Sequence, residues 1–387
     1  MYAHTRTGRP PTRAQRGLIT SPHYLASSTG IDVLRDGGSA VDAAIAANAT
    51  LCVVYPHMAG LGGDGFWLIA GDDAADVEAI NASGPAGDAA TRDYYAELGY
   101  EEIPERGSAS ALTVPGAVDG WRLAHENHGT LPWERLFEDA ITHARDGFAM
   151  TDDFTRWVAL DADVLSEQST AAETFLSDGT PPRSGTLLRQ PDLADSLETI
   201  ATDGPREGFY EGSVAEAFCE GLGEESPLST ADFDAYAAEW VEPLRVDYRS
   251  YTAYSFPPNT QGIAALQLLG LLDGFDVDSW GDGTADYYHH MAEAVKVAFA
   301  DRDAWVTDPE AVDIPADRLL SASYLDDRRS LIESDSSLPA AVEPGMTPDG
   351  VTPQPQEPGG DTCYLSVVDD DGLAVSMIQS IYFDFGS

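Results

Sequence analysis

Thr362 is the residue whose type and place in this sequence could best serve as a nucleophile. It follows Asp361 at the foot of a predicted strand, 363–368, and a Pro/Gly-rich stretch leads into it. A threonine hydroxyl is a poor nucleophile near neutral pH and needs a base. An N-terminal threonine carries one, an α-amine with an unperturbed pKa of about 8. That amine exists only once the Asp361–Thr362 bond is cut. The hydroxyl can make the cut by attacking the Asp361 carbonyl, shifting the acyl group from nitrogen to oxygen, and leaving an ester for water to open. The alternative is an ordinary threonine at a strand start, and position alone leaves both readings open.

A second hydroxyl should lie beside the first. Asp370-Asp371-Gly372 carries a hairpin signal between 363–368 and a second predicted strand, 373–380. A tight turn at Asp371-Gly372 pairs Thr362 with Ile381; a turn one residue earlier pairs it with Gln379. Either register puts Ser380 within one position of facing Thr362.

The other chemistry-bearing residues are weaker candidates. His289 and Glu293 have the i, i+4 spacing of a helical metal site, with His290 beside them, but no second cluster supports a metal. They read as surface or interface residues. Asp301-Arg302-Asp303 reads as a helix-end ion-pair group, and His57 as a structural residue rather than a ligand. Cys52, Cys219 and Cys363 are too far apart for a disulfide framework or zinc motif. Cys363 reads as a small buried strand residue despite its place beside Thr362. Gly60-Leu61-Gly62-Gly63-Asp64-Gly65 precedes an apolar strand, whereas a phosphate-binding loop follows one. Its glycines are expected to allow close backbone approach.

These residues must be held by a mixed set of elements. Ser39 and Asp42 resemble a capping box, and the Ala-rich run 40–49 suits a closely packed helix. Further helices are expected at 133–146, 191–202, 262–272 and 285–303, and strands at 66–70, 77–80 and 246–256. Residues 334–360 carry six prolines and four glycines and read as a mobile linker to the Asp361–Thr362 bond.

The chain's 387 residues, 43 % hydrophobic, can build two or three average domains or one large layered one. No apolar run reaches 18 residues, so no membrane span is expected. The first twenty residues carry Arg6, Arg9, Arg13 and Arg16 and no apolar signal core, which makes the cytoplasm the default location. The formal charge is −45, from 66 acidic residues against 21 Lys and Arg, with Lys296 as the single lysine. Self-repulsion of this size opposes a compact state at low salt. At molar salt the screening length falls to about 3 Å. The composition therefore points to a high-salt cytoplasm and away from nucleic acid as a partner.

In order along the chain, several motifs resemble those of the γ-glutamyltranspeptidase family of N-terminal nucleophile hydrolases. They are Gly37-Gly38-Ser39-Ala40-Val41-Asp42-Ala43-Ala44, Leu61-Gly62-Gly63-Asp64-Gly65-Phe66, Val114-Pro115-Gly116 and Ala144-Arg145-Asp146-Gly147-Phe148. Phe209-Tyr210-Glu211-Gly212, Asp247-Tyr248-Arg249-Ser250-Tyr251, Pro257-Pro258, Met291-Ala292-Glu293-Ala294 and Gly359-Gly360-Asp361-Thr362 follow. The resemblance implies an α+β fold, a four-layer αββα sandwich that is C-terminally incomplete here. It implies a precursor cut before Thr362, with 1–361 as the large-subunit region and 362–387 as the start of the small one. It implies γ-glutamyl transfer through a Thr362 ester, from glutathione-like amides to water or an amino-acid amine, with Ser380 as the supporting hydroxyl. No cofactor, metal, nucleic acid or membrane partner is implied.

Three departures qualify this. Asn81 stands where the family carries an arginine for the substrate carboxylate, and a neutral amide cannot form that bidentate, charge-assisted clamp. This leans toward a γ-glutamyltransferase-like branch of the family, or a related amide hydrolase acting on a glutaryl or cephalosporin side chain. Cys363-Tyr364 replaces the more usual Thr-His pair. The family continues well past Ser387 with the remaining sheet and oxyanion hole, so a catalytically inactive fragment or scaffold is the competing expectation.

Overall fold

A computed structural model of the chain describes residues 12–71, 76–348 and 361–387. Arg6 and Arg9, and residues 349–360 of the expected linker, lie outside these. The fold is α+β, and the described residues form two compact units, one holding those up to Asp76, Ile80–Glu239 and the C-terminal hairpin, the other mainly those from Trp240 to Pro348.

Ten strands occur among the described residues: β1 (Gly17–Thr20), β2 (Asp64–Ala70), β3 (Val77–Ala82), β4 (Phe148–Ala149), β5 (Leu187–Leu188), β6 (Glu239–Val241), β7 (Leu244–Tyr248), β8 (Tyr251–Ser255), β9 (Asp361–Asp369) and β10 (Ala374–Tyr382). In the first unit β1, β9, β10 and β2 lie side by side in that order, every pair antiparallel. Alternation of side chains gives this sheet two unlike faces. Cys363, Leu365, Val367, Val375, Met377, Trp67 and Ile69 point into the core. Thr362, Tyr364, Ser376, Ile378, Ser380, Asp64 and Phe66 stand on the opposite, more open face.

The buried face is covered by helices. Following α1 (Tyr24–Arg35), α2 (Ala40–Val54) packs on β9 and β10. Beyond the short α3 (Arg92–Glu97), α4 (Ala117–His128) packs on β2. Every residue of α2 is buried, which explains its composition. A helix surrounded by protein must be apolar all round, and alanine lets its neighbours approach closely. Its start is the expected capping box, with Ser39 Oγ accepting from Asp42 N and Asp42 Oδ2 accepting from Ser39 N. The Asp42 carboxylate also accepts from Thr130 N and Leu131 N, so one buried group organises two loops.

In the second unit the helix Ala285–Trp305 packs against Gly262–Asp273. Its side chains correct two expectations. His290 and Glu293 are buried, not superficial. With their neighbours they hold the chain beyond residue 332. His289 Nε2 lies 2.7 Å from Glu333 O, and His290 Nε2 lies 3.3 Å from Ser334 Oγ. Glu293 accepts from Leu338 N at 2.7 Å, Lys296 donates to Leu338 O at 3.1 Å, and Trp305 donates to Met346 O at 2.9 Å. Asp301, paired with Arg328 at 3.3 Å, accepts from Gly345 N at 2.8 Å. The first half of the expected mobile linker is thus fastened to one helix by backbone hydrogen bonds. Arg302 and Asp303 do form the expected ion pair, at 2.6 Å.

Candidate active site

The β9–β10 hairpin brings the two expected hydroxyls together. Gln379 pairs with Cys363 while Tyr382 pairs with Asp361, so Ser380 and Ile381 together oppose Thr362. This is a β-bulge, a device that re-aims side chains at strand ends. Its register falls midway between the two expected ones because the turn is a three-residue loop. The Asp369 carboxylate accepts from Asp371 N at 3.1 Å and Leu373 N at 2.9 Å, filling the loop with its own side chain. Its other oxygen accepts from Ala40 N at the start of α2 at 2.8 Å, which ties the hairpin to the core helix.

At the bulge Thr362 Oγ1 donates to Ser380 Oγ at 3.2 Å, and Tyr382 N donates to the same oxygen at 3.0 Å. Thr362 is exposed on the open face, and Asp361 precedes it within the same unbroken strand. Tyr382, at φ 69°, is in the left-handed region and turns the chain away from the sheet.

The opposite side of the bulge is held by a buried polar chain. Gln379, fully buried, donates to Gly60 O at 2.7 Å and accepts from Asn48 Nδ2 at 2.8 Å. Asn48 Oδ1 accepts in turn from Trp121 Nε1 at 2.8 Å. The glycine loop lies against β10 as expected of its residues: a side chain at Gly63 would collide with the Ser380 carbonyl oxygen. Cys363 and Cys52 are buried, and burial pushes both thiols up to about 12, so neither competes as a nucleophile.

Asp64 is the group that the sequence reading left inside the glycine loop. It pairs directly with Ser380 across β2 and β10, so Thr362, Ser380 and Asp64 stand in a row on the open face. Burial pushes its carboxyl up to about 7, against a hydrogen bond from Gly84 N at 3.2 Å. Gly116 N donates to Gly63 O at 3.0 Å. Beside Gly116 lies the buried Tyr236 hydroxyl, which has no hydrogen-bond partner among the described residues. Burial, and then the Asp64 carboxylate, raise the Tyr236 pKa, so the phenol keeps its proton. The signal in the sequence was a lone carboxylate among glycines opening an apolar strand.

Asn81 Oδ1 accepts from Ser83 N at 3.1 Å and Ser83 Oγ at 2.7 Å, committing that oxygen to the turn after β3. His57 is fully buried among Tyr55, Phe154, Trp157 and Phe385. No group of three or more His, Cys, Asp or Glu among the described residues is placed to hold a metal ion. No helix among them is long and apolar enough to cross a membrane.

A hydroxyl-bearing hairpin edge on the open face of a helix-backed sheet belongs with the N-terminal nucleophile hydrolases, the αββα class of the solved structures that this chain resembles. The family model for gamma-glutamyltranspeptidase matches residues 26–387, and the chain belongs to that family of transferases and hydrolases. It is 41 % identical over 371 residues to a glutathione hydrolase-like YwrD proenzyme of Bacillus subtilis, covering 96 % of this chain and 67 % of that protein. It is 40 % identical over 377 residues to an oxamate amidohydrolase proenzyme of Klebsiella pneumoniae, covering 96 % and 68 %. A cephalosporin acylase from Bacillus halodurans superposes with a TM-score of 0.84 at 33 % identity, covering all of this chain and 70 % of that one. The chain thus spans about two thirds of the length of these relatives.

Proposed function

We propose that this protein is a self-processing acyl transferase or hydrolase whose nucleophile is Thr362. The hydrogen bond of 3.2 Å from Thr362 Oγ1 to Ser380 Oγ, on an accessible strand edge directly after Asp361, carries this reading. Cleavage of the Asp361–Thr362 bond separates a large-subunit region, 1–361, from a small one beginning at Thr362. The freed α-amine then takes the Oγ proton as the oxygen attacks a substrate amide carbonyl. The departing amine leaves protonated, the acyl group stays on Thr362 as an ester, and water or an amino-acid amine receives it. Ser380 fixes the direction of the attacking oxygen.

The substrate class is γ-glutamyl amides, glutathione-like in form. A second reading, an acylase acting on glutaryl or cephalosporin-type amides, is favoured by Asn81, whose neutral amide already serves the Ser83 turn and cannot replace a guanidinium clamp. The family membership and the names of the relatives above support amide cleavage in general.

The test is the intact mass of the purified protein after incubation in molar salt, with Thr362→Ala as control. A cut between Asp361 and Thr362 in wild type alone is expected. A wild type that stays whole at every salt and pH tried removes self-processing and favours the inactive scaffold. Exposing processed protein to γ-glutamyl, glutaryl and oxamate-type amides, then weighing the adduct on Thr362, separates the substrate classes.

A further inference from the structure

The hydroxyl pair is aimed by the turn that follows it, and that turn needs a hold of its own. Ser380 Oγ accepts from Tyr382 N at 3.0 Å, and Thr362 Oγ1 donates to the same oxygen at 3.2 Å. The conformation at Tyr382 therefore bears on where Thr362 Oγ1 points. Tyr382, at φ 69°, and Phe385, at φ 60°, both lie in the left-handed region that side chains avoid, whereas Gly386, at φ 75°, is suited to it. Such conformations persist only where the surroundings impose them. Within the turn, Gly386 N donates to Phe383 O at 2.7 Å, and Phe385 N donates outward to His57 O at 3.0 Å.

The strongest hold from a side chain comes from the loop between α3 and α4. Arg106 Nη1 donates to Asp384 O at 3.0 Å and to Gly386 O at 2.7 Å. Arg106 Nη2 lies 3.6 Å from the Asp384 carboxylate. The guanidinium also stands over the Phe383 ring, 4.7 Å from its centre. One partly buried guanidinium thus touches three of the four residues that follow Tyr382. A planar, permanently charged fork is the side chain that can serve two carbonyls, a carboxylate and a ring face together.

We propose that Arg106 is a positioning residue for the Thr362 nucleophile, acting through the turn 382–386 and Ser380. The inference rests on the reading of Thr362 as the self-processing nucleophile. Arg106 makes no bond to the reacting atoms and moves no proton. It holds Phe383, Asp384 and Gly386, which keeps Tyr382 in its left-handed conformation and its N–H on Ser380 Oγ. Ser380 Oγ then stays where Thr362 Oγ1 donates to it. Without the guanidinium, Asp384 O and Gly386 O lose their donor, the turn relaxes, and the Tyr382–Ser380 hydrogen bond goes with it. An attacking oxygen displaced by about 1 Å loses up to about 10²-fold in rate.

The experiment follows the split of the full-length protein with time, by intact mass in molar salt, in wild type, Arg106→Ala, Arg106→Lys and Arg145→Ala. Arg145, whose guanidinium pairs with Asp195 and Glu198, controls for the loss of an ion-paired arginine and is expected to leave the rate unchanged. Urea midpoints in the same salt give the folded fraction at which each rate is read. Arg106→Ala is expected to slow the split by about 10- to 100-fold while still folded. Arg106→Lys, whose ammonium can still donate to the carbonyls, should restore part of the rate. Ethylguanidinium should speed the split of Arg106→Ala and not that of wild type, an effect that a loss of folded protein would not produce. If Arg106→Ala does not fold, Arg106→Gln is read in its place. A variant rate equal to that of wild type, or a slowing that the folded fraction accounts for in full, overturns the positioning role and leaves Thr362 as the nucleophile. A wild type that never splits overturns both.

Discussion

Replacing Gln379 with leucine tests how the reactive edge of the hairpin is held. The substitution keeps the side chain's approximate volume and removes its amide. Two groups then lose their partners: the buried Asn48 Nδ2, which donates at 2.8 Å, and the half-buried Gly60 O, which accepts at 2.7 Å. An unsatisfied buried group costs about 1–3 kcal/mol and a half-buried one less, so Gln379→Leu should lower stability by about 1–4 kcal/mol. Asn48→Leu should cost a similar amount, because it strands Trp121 Nε1 and leaves Gln379 Oε1 only the long contact from Cys52 Sγ at 3.6 Å. Once one amide is gone, removing the other leaves fewer new orphans. The double variant should therefore be less damaged than the sum, with a coupling of about 1–3 kcal/mol. Urea unfolding of wild type, both single variants and the double variant, at one fixed molar salt concentration, measures the cycle. Single-variant costs that add to within about 0.5 kcal/mol would show that the two amides do not act as a unit, and the reasoning would fail.

Three further outcomes are expected. His57 is held neutral by burial, its pKa lowered from 6.5 to about 3, so the unfolded chain binds a proton that the folded one refuses. Stability conferred by the neutral ring is present above about pH 6.5 and lost as pH falls toward 3, by up to about 5 kcal/mol at 1.36 kcal/mol per pH unit; urea midpoints against pH should slope less in His57→Phe. Gly63→Ala forces a methyl group onto the Ser380 carbonyl oxygen and should destabilise by about 1–3 kcal/mol while slowing the split before Thr362, read by thermal melting and by intact mass. With a formal charge of −45, the melting temperature should climb steeply as KCl rises from about 0.1 M to about 2 M, where screening lengths fall below about 3 Å; a flat response would count against salt adaptation.

Much of the site was legible in the sequence because its signals are local. Period-2 alternation and Asp370-Asp371-Gly372 announced the hairpin, and the hairpin placed Ser380 beside Thr362. The Ser39–Asp42 capping box and the Ala-rich run announced α2. The register was missed by one residue because the Asp369 side chain fills the turn, a contact that turn statistics do not contain. The His290 and Glu293 spacing marked one face of a helix, but not that the chain from 333 to 346 would lie along it.

The sequence by itself determined the local elements, the order of the family motifs, the hydroxyl pair and the net charge. Each depends on neighbouring residues, on spacing along the chain, or on composition. Only the tertiary structure decided which face of β9 and β10 is open, that Gln379 belongs to the chain from Asn48 to Trp121, and that Asp64 stands opposite Ser380. Asp64 and Ser380 come from opposite ends of the sequence. Strand pairing joins them through backbone hydrogen bonds that any residue can make, so no pattern of side chains along the chain records their meeting.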